Sequence, residues 1–283
     1  MSDASRWLST LLLIGVATCL RAQQAVSVPR ADGAQTPLMV YEANGPACPP
    51  LALISPGAGG DEKGLRYLGE ALSKDGWRAI VMGHRESGPA PLRADIRRAG
   101  SVRRGVAAMV NDAGNYRARL LDIAATLKWA GQRCRAPFTA LLGHSMGAHT
   151  VQLEAGARNL LDVYAAGGFD AYVALSPAGP DAAVFPPDAA STIRAPMLMI
   201  TGTRDRGLGG DYHWRMRAFD GIAPGCHWLA VIDGSTHMNF AGTGLAGRTE
   251  SATVTLVTTW LDALRGGRCA QPPRLAGTSI RAG

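Results

Sequence analysis

Lysine is almost missing from this chain of 283 residues: Lys63, Lys74 and Lys128 are three among 29 basic residues. The net charge of +7 is therefore arginine charge, and the arginines are scattered. No basic run interleaved with aromatics occurs, which argues against a nucleic-acid-binding module. A compositional preference for Arg, Ala and Gly accounts for the basicity. No apolar run reaches the roughly 20 residues that a spanning helix needs. No C-x-x-C is present, and no cysteine has a histidine at zinc spacing, so no metal site is expected. The glycine loop "GAGGDE" has Glu62 where a dinucleotide fingerprint needs glycine, and no Gly-Lys-Ser/Thr follows it. No cofactor is implied. Internal repeats and long linkers are also lacking, so residues 23–283 are expected to form a single domain. Nothing in the sequence indicates an oligomeric state.

What is present is ordinary for a globular protein, with 47% hydrophobic and 18% charged residues. The N-terminus has Arg6 followed by "WLSTLLLIGVATCL", with no further charge until Arg21. This has the shape of a secretory signal peptide over residues 1–22, with cleavage after Ala22 or Ala25. Lipid attachment at Cys19 is disfavoured, because Thr18 is bulkier than the usual small residue. A secreted or periplasmic location is expected. Setting Cys19 aside leaves Cys48, Cys134, Cys226 and Cys269, an even number that permits three pairings.

Short apolar runs recur along the chain. They cover residues 38–43, 51–55, 78–83, 138–143, 171–176, 196–202 and 227–234. They are nearly continuous rather than alternating, which suits strands buried on both faces. Between them lie amphipathic patterns with glycine stops. Leu65, Leu68 and Leu72 mark one helix, Leu120, Ile123 and Leu127 a second, and Val254, Val257, Leu261 and Leu264 a third. Strands alternating with helices imply an α/β fold, a mostly parallel sheet with helices on both faces. Residues 266–283 read as a tail, ordered at most as far as Cys269. The stretch from Pro177 to Arg194 is too short and proline-rich for a large lid.

Ser145 lies in "GHSMG", residues 143–147, between a strand and a helix. In a chain with 35 glycines, G-x-S-x-G arises by chance about 0.2 times, so the motif needs support. The context supplies it. A nucleophile elbow places serine in a strained strand-to-helix turn that needs small residues on both sides. A serine hydroxyl also needs a base. Sites in parallel sheets form at the carboxyl ends of strands, and His237 follows the end of the last one. Asp205 follows the preceding strand and is the first candidate to orient His237, with Asp211 and Asp181 as rivals. Oxyanion donors are expected from the N–H of Met146 and from the loop "ISPGAGGDEKG", where Ala58 is first and Gly59 second. Trp214, Met238 and Phe240 either line a substrate pocket or pack in the core. His144 and His84 read as hydrogen-bonding residues of the elbow and of a loop.

The ordered set Ser145, Asp205, His237 resembles the α/β-hydrolase family over roughly residues 37–265. Within it, "SPGAGG", "GHSMG", "ALSPAGP" and "GSTHMNF" are most similar to the dienelactone-hydrolase-like branch. That branch also holds secreted esterases, cutinase-like and polyester-degrading enzymes. The resemblance implies an eight-stranded sheet, with nucleophile, acid and base at Ser145, Asp205 and His237. It implies an esterase acting on a small-molecule ester. An acyltransferase, an amidase or a non-catalytic binding protein of the same fold are the alternatives. Dienelactone hydrolases carry a cysteine nucleophile where this chain has Ser145. Polyester hydrolases usually carry an aromatic at the position of Ala58 and often a tryptophan near Ser176–Pro177, which argues against a polyester substrate. The family's strand order also implies the pairings Cys48–Cys134 and Cys226–Cys269.

Overall fold

The continuous apolar runs become strands because both of their faces are covered. The computed structural model describes residues 23–43, 45–181 and 183–283. The expected signal peptide and Cys19 lie outside the described residues. The strands are β1 (Gln24–Pro29), β2 (Gln35–Tyr41), β3 (Leu51–Ser55), β4 (Arg78–Met82), β5 (Thr139–His144), β6 (Ala171–Leu175), β7 (Met197–Arg204), β8 (Trp228–Thr236) and β9 (Thr278–Ala282). The helices are α1 (Arg66–Lys74), α2 (Pro89–Ala99), α3 (Val102–Val110), α4 (Ala113–Gly131), α5 (Met146–Glu154), α6 (Tyr212–Met216) and α7 (Gly247–Arg265). All the strands form one sheet in the order β1-β2-β4-β3-β5-β6-β7-β8-β9. From β4 to β8 the pairings are parallel, and β1, β2 and β9 join antiparallel.

Alternate residues of each central strand enter different cores. In β3, Leu51 and Leu53 pack with Ile123, Met146 and Val151 of α4 and α5. Ala52 and Ile54 pack with Leu68 and Leu72 of α1 and with Leu256, Trp260 and Leu261 of α7. Leu53, Ile54, Leu68, Leu72, Leu256 and Trp260 are almost fully buried, each contributing about 1.5–3 kcal/mol by area bookkeeping.

Two edges of the architecture depart from expectation. The sheet has nine strands rather than eight. Residues 266–283 are not a tail: β9 pairs along β8 from Thr278 to Ala282. The strand is illegible because TSIRA holds no buried residue, only half-buried Thr278 and Ile280, and so has no apolar run. β1 likewise has no apolar run, with Val28 as its one buried residue.

The other unread segment is the hairpin of α2 and α3. Pro89 opens α2, Gly100 ends it in a left-handed conformation, and the Ser101 side chain caps α3 by accepting from Arg104 N–H. Gly105 brings the two helices together: a Cβ there would lie 2.6 Å from the Ile96 backbone. Among the described residues between Pro177 and Arg194 no large lid forms, and a 3₁₀ turn spans Ala189–Thr192. The α2–α3 hairpin stands beside the carboxyl ends of the strands instead.

Both expected disulfides are present. Cys48 pairs with Cys134 and Cys226 with Cys269, across 86 and 43 residues. Loop-closure entropy gives each an upper value of about 4.6 and about 4 kcal/mol. Protein isolated without reductant is expected to show no thiol at these four positions when titrated in denaturant. Reduction and alkylation should lower the unfolding free energy by several kcal/mol, measured by urea titration. Four free thiols would remove this contribution.

Candidate active site

The elbow is built by backbone contact. β5 ends at His144, Ser145 adopts φ 55° and ψ −120°, and α5 starts at Met146. Such a conformation costs a non-glycine residue about 1–3 kcal/mol. The surrounding chain enforces it: Ser145 N–H donates to Leu175 O at 3.0 Å. The flanking glycines are obligatory. A Cβ on Gly143 would meet Gly147 O at 2.3 Å, and one on Gly147 would meet Ser55 O at 1.9 Å. The Ser145 side chain therefore stands at the end of β5, beside the start of a helix.

His237 opens a 3₁₀ turn directly after β8. Thr236 N–H and Oγ1–H both donate to Asn239 Oδ1, which fixes the turn. His237 Nε2 lies 3.0 Å from Ser145 Oγ, and Nδ1 lies 2.9 Å from Asp205 Oδ1. Asp205 is fully buried just past β7, and Thr201 Oγ1 donates to its Oδ2 at 3.0 Å. Burial alone would raise the Asp205 pKa, but the His237 hydrogen bond and the nearby Arg215 charge outweigh it and hold the group ionised. The rivals are engaged elsewhere. Asp211 caps α6, accepting from His213 and Trp214 N–H, and Asp181 accepts from Ala183 and Val184 N–H.

The oxyanion loop touches the serine: a Cβ on Gly57 would lie 3.1 Å from Ser145 Cβ. Gly59 N–H, the second expected donor, already donates to Ser87 O at 2.8 Å, whereas Ala58 N–H has no backbone acceptor among the described residues. The loop carbonyls turn inward to a buried arginine. Arg119 Nη1 donates to Pro56 O at 2.8 Å and Nη2 to Gly57 O at 3.4 Å. Its Nε donates to Ser87 Oγ at 2.9 Å. In a trans peptide C=O and N–H point opposite ways. A Gly57 carbonyl aimed at Arg119 thus aims Ala58 N–H away from it. Met146 N–H is at the first turn of α5, where no intrahelical acceptor exists.

Beneath this loop lies a second Ser-His-Asp chain. Ser55 Oγ is 2.8 Å from His84 Nε2, and His84 Nδ1 is 2.8 Å from Asp122 Oδ2. All three are buried, so nothing can reach Ser55 as a substrate would. Arg119 Nη1 also donates to Ser55 Oγ, so the Ser55 hydroxyl donates its own hydrogen bond to His84 Nε2. Burial and the Arg119 charge push His84 down to about 4, and it stays neutral. Its expected role as a loop organiser matches this placement. Asp122 is further held by Arg30 and Thr36 of the β1–β2 hairpin.

Two cavities meet at Ser145 and His237. The first has a volume of about 440 Å³ and runs between α3 and the loop 206–214. Val102, Val106 and Val110 line it along one face of α3, opposite Leu208 and Trp214. Trp214 Nε1 donates to Pro180 O, which fixes the indole. The second, of about 360 Å³, runs along the oxyanion loop to Met238. Trp214 and Met238 thus lie at cavities. Phe240 does not: it is fully buried in the core with α7 and belongs to packing.

Two neighbours of the site were not read from the sequence. Arg215 is buried, with Nε 2.8 Å from Asp205 Oδ1 and Nη2 3.0 Å from His237 Nδ1. Its Nη1 donates to Ser176 O and Pro177 O. A lone arginine in an arginine-rich chain carries no signal for this. The valine stripe at positions 102, 106 and 110 did carry one, a helical period of four. His144, as expected, is an elbow residue: its Nε2 donates to His237 O at 3.0 Å, and burial keeps it neutral.

No protein-family model and no curated protein matches the sequence. Solved structures do match. Est1E from Butyrivibrio proteoclasticus is 15% identical, with a TM-score of 0.58 over 86% of this chain and 99% of that one. A putative dienelactone hydrolase from Klebsiella pneumoniae subsp. pneumoniae is 16% identical, with a TM-score of 0.60 over 83% and 95%. A dienelactone hydrolase from Anabaena variabilis is 19% identical, with a TM-score of 0.55 over 85% and 97%. Together with the mostly parallel sheet and its flanking helices, these likenesses establish that the chain has the α/β-hydrolase fold.

Proposed function

We propose that this protein is an exported serine hydrolase that cleaves carboxylic esters through an acyl-enzyme on Ser145. The observation that carries the reading is the unbroken line Ser145 Oγ, His237, Asp205, with contacts of 3.0 and 2.9 Å. His237 Nε2 takes the hydroxyl proton as Ser145 Oγ bonds to the ester carbonyl carbon. The C=O electron pair moves onto oxygen, where Ala58 and Met146 N–H groups receive the charge. The carbon–alkoxy bond then breaks, and the alcohol leaves with the proton from His237. Water attacks the acyl-enzyme by the same route and releases the acid. Ionised Asp205 accepts from Nδ1–H throughout and stabilises the imidazolium. Export is supported by the two disulfides and by the signal-like sequence of residues 1–22.

Arg119 acts at one remove, by fixing the peptide that carries Ala58 N–H. Misplacing a transition-state donor costs rate more than binding.

Three outcomes are expected. A fluorophosphonate probe labels the wild type and not Ser145→Ala; labelling that survives the substitution removes the nucleophile assignment. Asp205→Asn lowers kcat for p-nitrophenyl acetate about 10³- to 10⁴-fold while Asp211→Asn changes it less than about threefold; the reverse ranking moves the acid to Asp211. Arg119→Met lowers kcat about 10- to 100-fold with little change in KM, and Arg119→Lys falls between. A raised KM at unchanged kcat, in variants shown folded by thermal melting, removes the positioning role.

A further inference from the structure

His149 is a polar residue in the wall of the larger cavity that the proposed chemistry does not use. It is 8% exposed, on the first turn and a half of α5, four residues after Ser145. Helical side chains lean back towards the N-terminus, which brings the ring to the same side as the serine. It lines the cavity together with Ser145 and His237.

The proton on this ring can be placed. His149 Nδ1 is 3.0 Å from the hydroxyl of Tyr116, which is fully buried on α4. Among the described residues that hydroxyl has no other partner. A buried O–H needs an acceptor, and Nδ1 is the one available. Tyr116 therefore donates to Nδ1, and the ring proton sits on Nε2. Burial, with the charges of Arg215, Arg119 and His237 adding to it, lowers the His149 pKa to about 3, so the ring is neutral at any working pH. The ring is held from two sides, stacked near Tyr116 and edge-on to Phe185.

Nε2–H has no protein acceptor among the described residues. It is not sealed away either, unlike Nε2 of His227, which is buried without a partner. It opens on the cavity that its residue lines. The α3 valines, Leu208 and Trp214 form apolar walls there, while Arg103, Asn111, Asp181 and Arg206 also line the cavity, so the His149 donor is one of several polar points in it.

We infer that His149 Nε2–H is a specificity-determining donor, and that the group occupying this cavity carries an ether, carbonyl or hydroxyl oxygen within reach of it. The preferred substrates are then esters with an oxygenated acyl or alkyl part rather than plain alkanoates. The inference rests on the ester-hydrolase reading above. A site built to pair a substrate oxygen discriminates against the analogue lacking it far more than an apolar pocket discriminates between isosteres.

Matched esters in which one CH₂ is replaced by O test this. In the acyl arm, p-nitrophenyl methoxyacetate, 3-methoxypropanoate and 4-methoxybutanoate are compared with butanoate, pentanoate and hexanoate. In the alcohol arm, 2-methoxyethyl acetate is compared with butyl acetate by pH-stat. The arm that responds identifies which half of the ester the cavity holds. For at least one pair, the ratio of kcat/KM for the oxygenated to the plain ester is expected to fall about tenfold from wild type to His149→Phe. Comparing enzymes on the same pair cancels the intrinsic reactivity of the two esters. Tyr116→Phe keeps the ring but frees its tautomer, and is expected to lose part of that ratio. Ratios unchanged in both variants, or equal losses on both members of every pair, would overturn the inference while Ser145-dependent turnover persists. No Ser145-dependent turnover of any ester would overturn the hydrolase reading and this inference with it.

Discussion

The contact between Gly147 and the carbonyl of Ser55 is the constraint on which the site depends. No other residue fits, since a Cβ would sit 1.9 Å from that oxygen. This approach lets α5 begin directly against the end of β3, beside β5. The strained Ser145 backbone, the free Met146 N–H and the loop that follows Ser55 are all consequences of it. The site is thus set by main-chain packing before any side-chain chemistry enters, and the core on both faces of the sheet supplies the energy that holds the strain.

Two buried arginines stabilise what the strands alone leave loose. Loops at the carboxyl ends of parallel strands carry carbonyls that no ladder satisfies. Arg119 gathers those of Pro56 and Gly57, and Arg215 those of Ser176 and Pro177. Each needs compensation for its own burial. Arg215 finds it in Asp205. Among the described residues Arg119 makes no direct ion pair and is satisfied by hydroxyls and carbonyls, its pKa lowered by burial to about 10. The Ser55–His84–Asp122 chain belongs to the same framework. Its geometry is that of a nucleophile and base, but it lies where no substrate reaches, which separates triad geometry from triad function.

The parts of this molecule legible in the sequence are those with a strong local cause. Doubly buried strands read as unbroken apolar runs, and the elbow reads as spaced glycines. The placement of Asp205 and His237 beside Ser145 was legible because strand ends meet on one side of a parallel sheet. The edge strands β1 and β9 were missed because one side faces water and their patterns are too short to register. Phe240 could not be told from Met238 in the sequence, because residues two apart in a turn can point to different sides. Arg119, Arg215 and the Tyr116–His149 pair depend on contacts between residues 10 to 64 positions apart. No local pattern encodes such contacts.

Val106 lies on the wall shared by both cavities, between the valine-lined slot and the groove along the oxyanion loop. It acts as a watershed. On the proposed reading, a molecule whose reacting carbon rests at Ser145 would send one half to either side of this single side chain. The two halves then meet different surfaces, and each surface can drift in sequence without disturbing the other. Its helix lies between β4 and β5 in the chain and takes no part in the sheet. The fold can therefore change what it accepts by altering a hairpin, while the strands that align the reacting groups stay as they are.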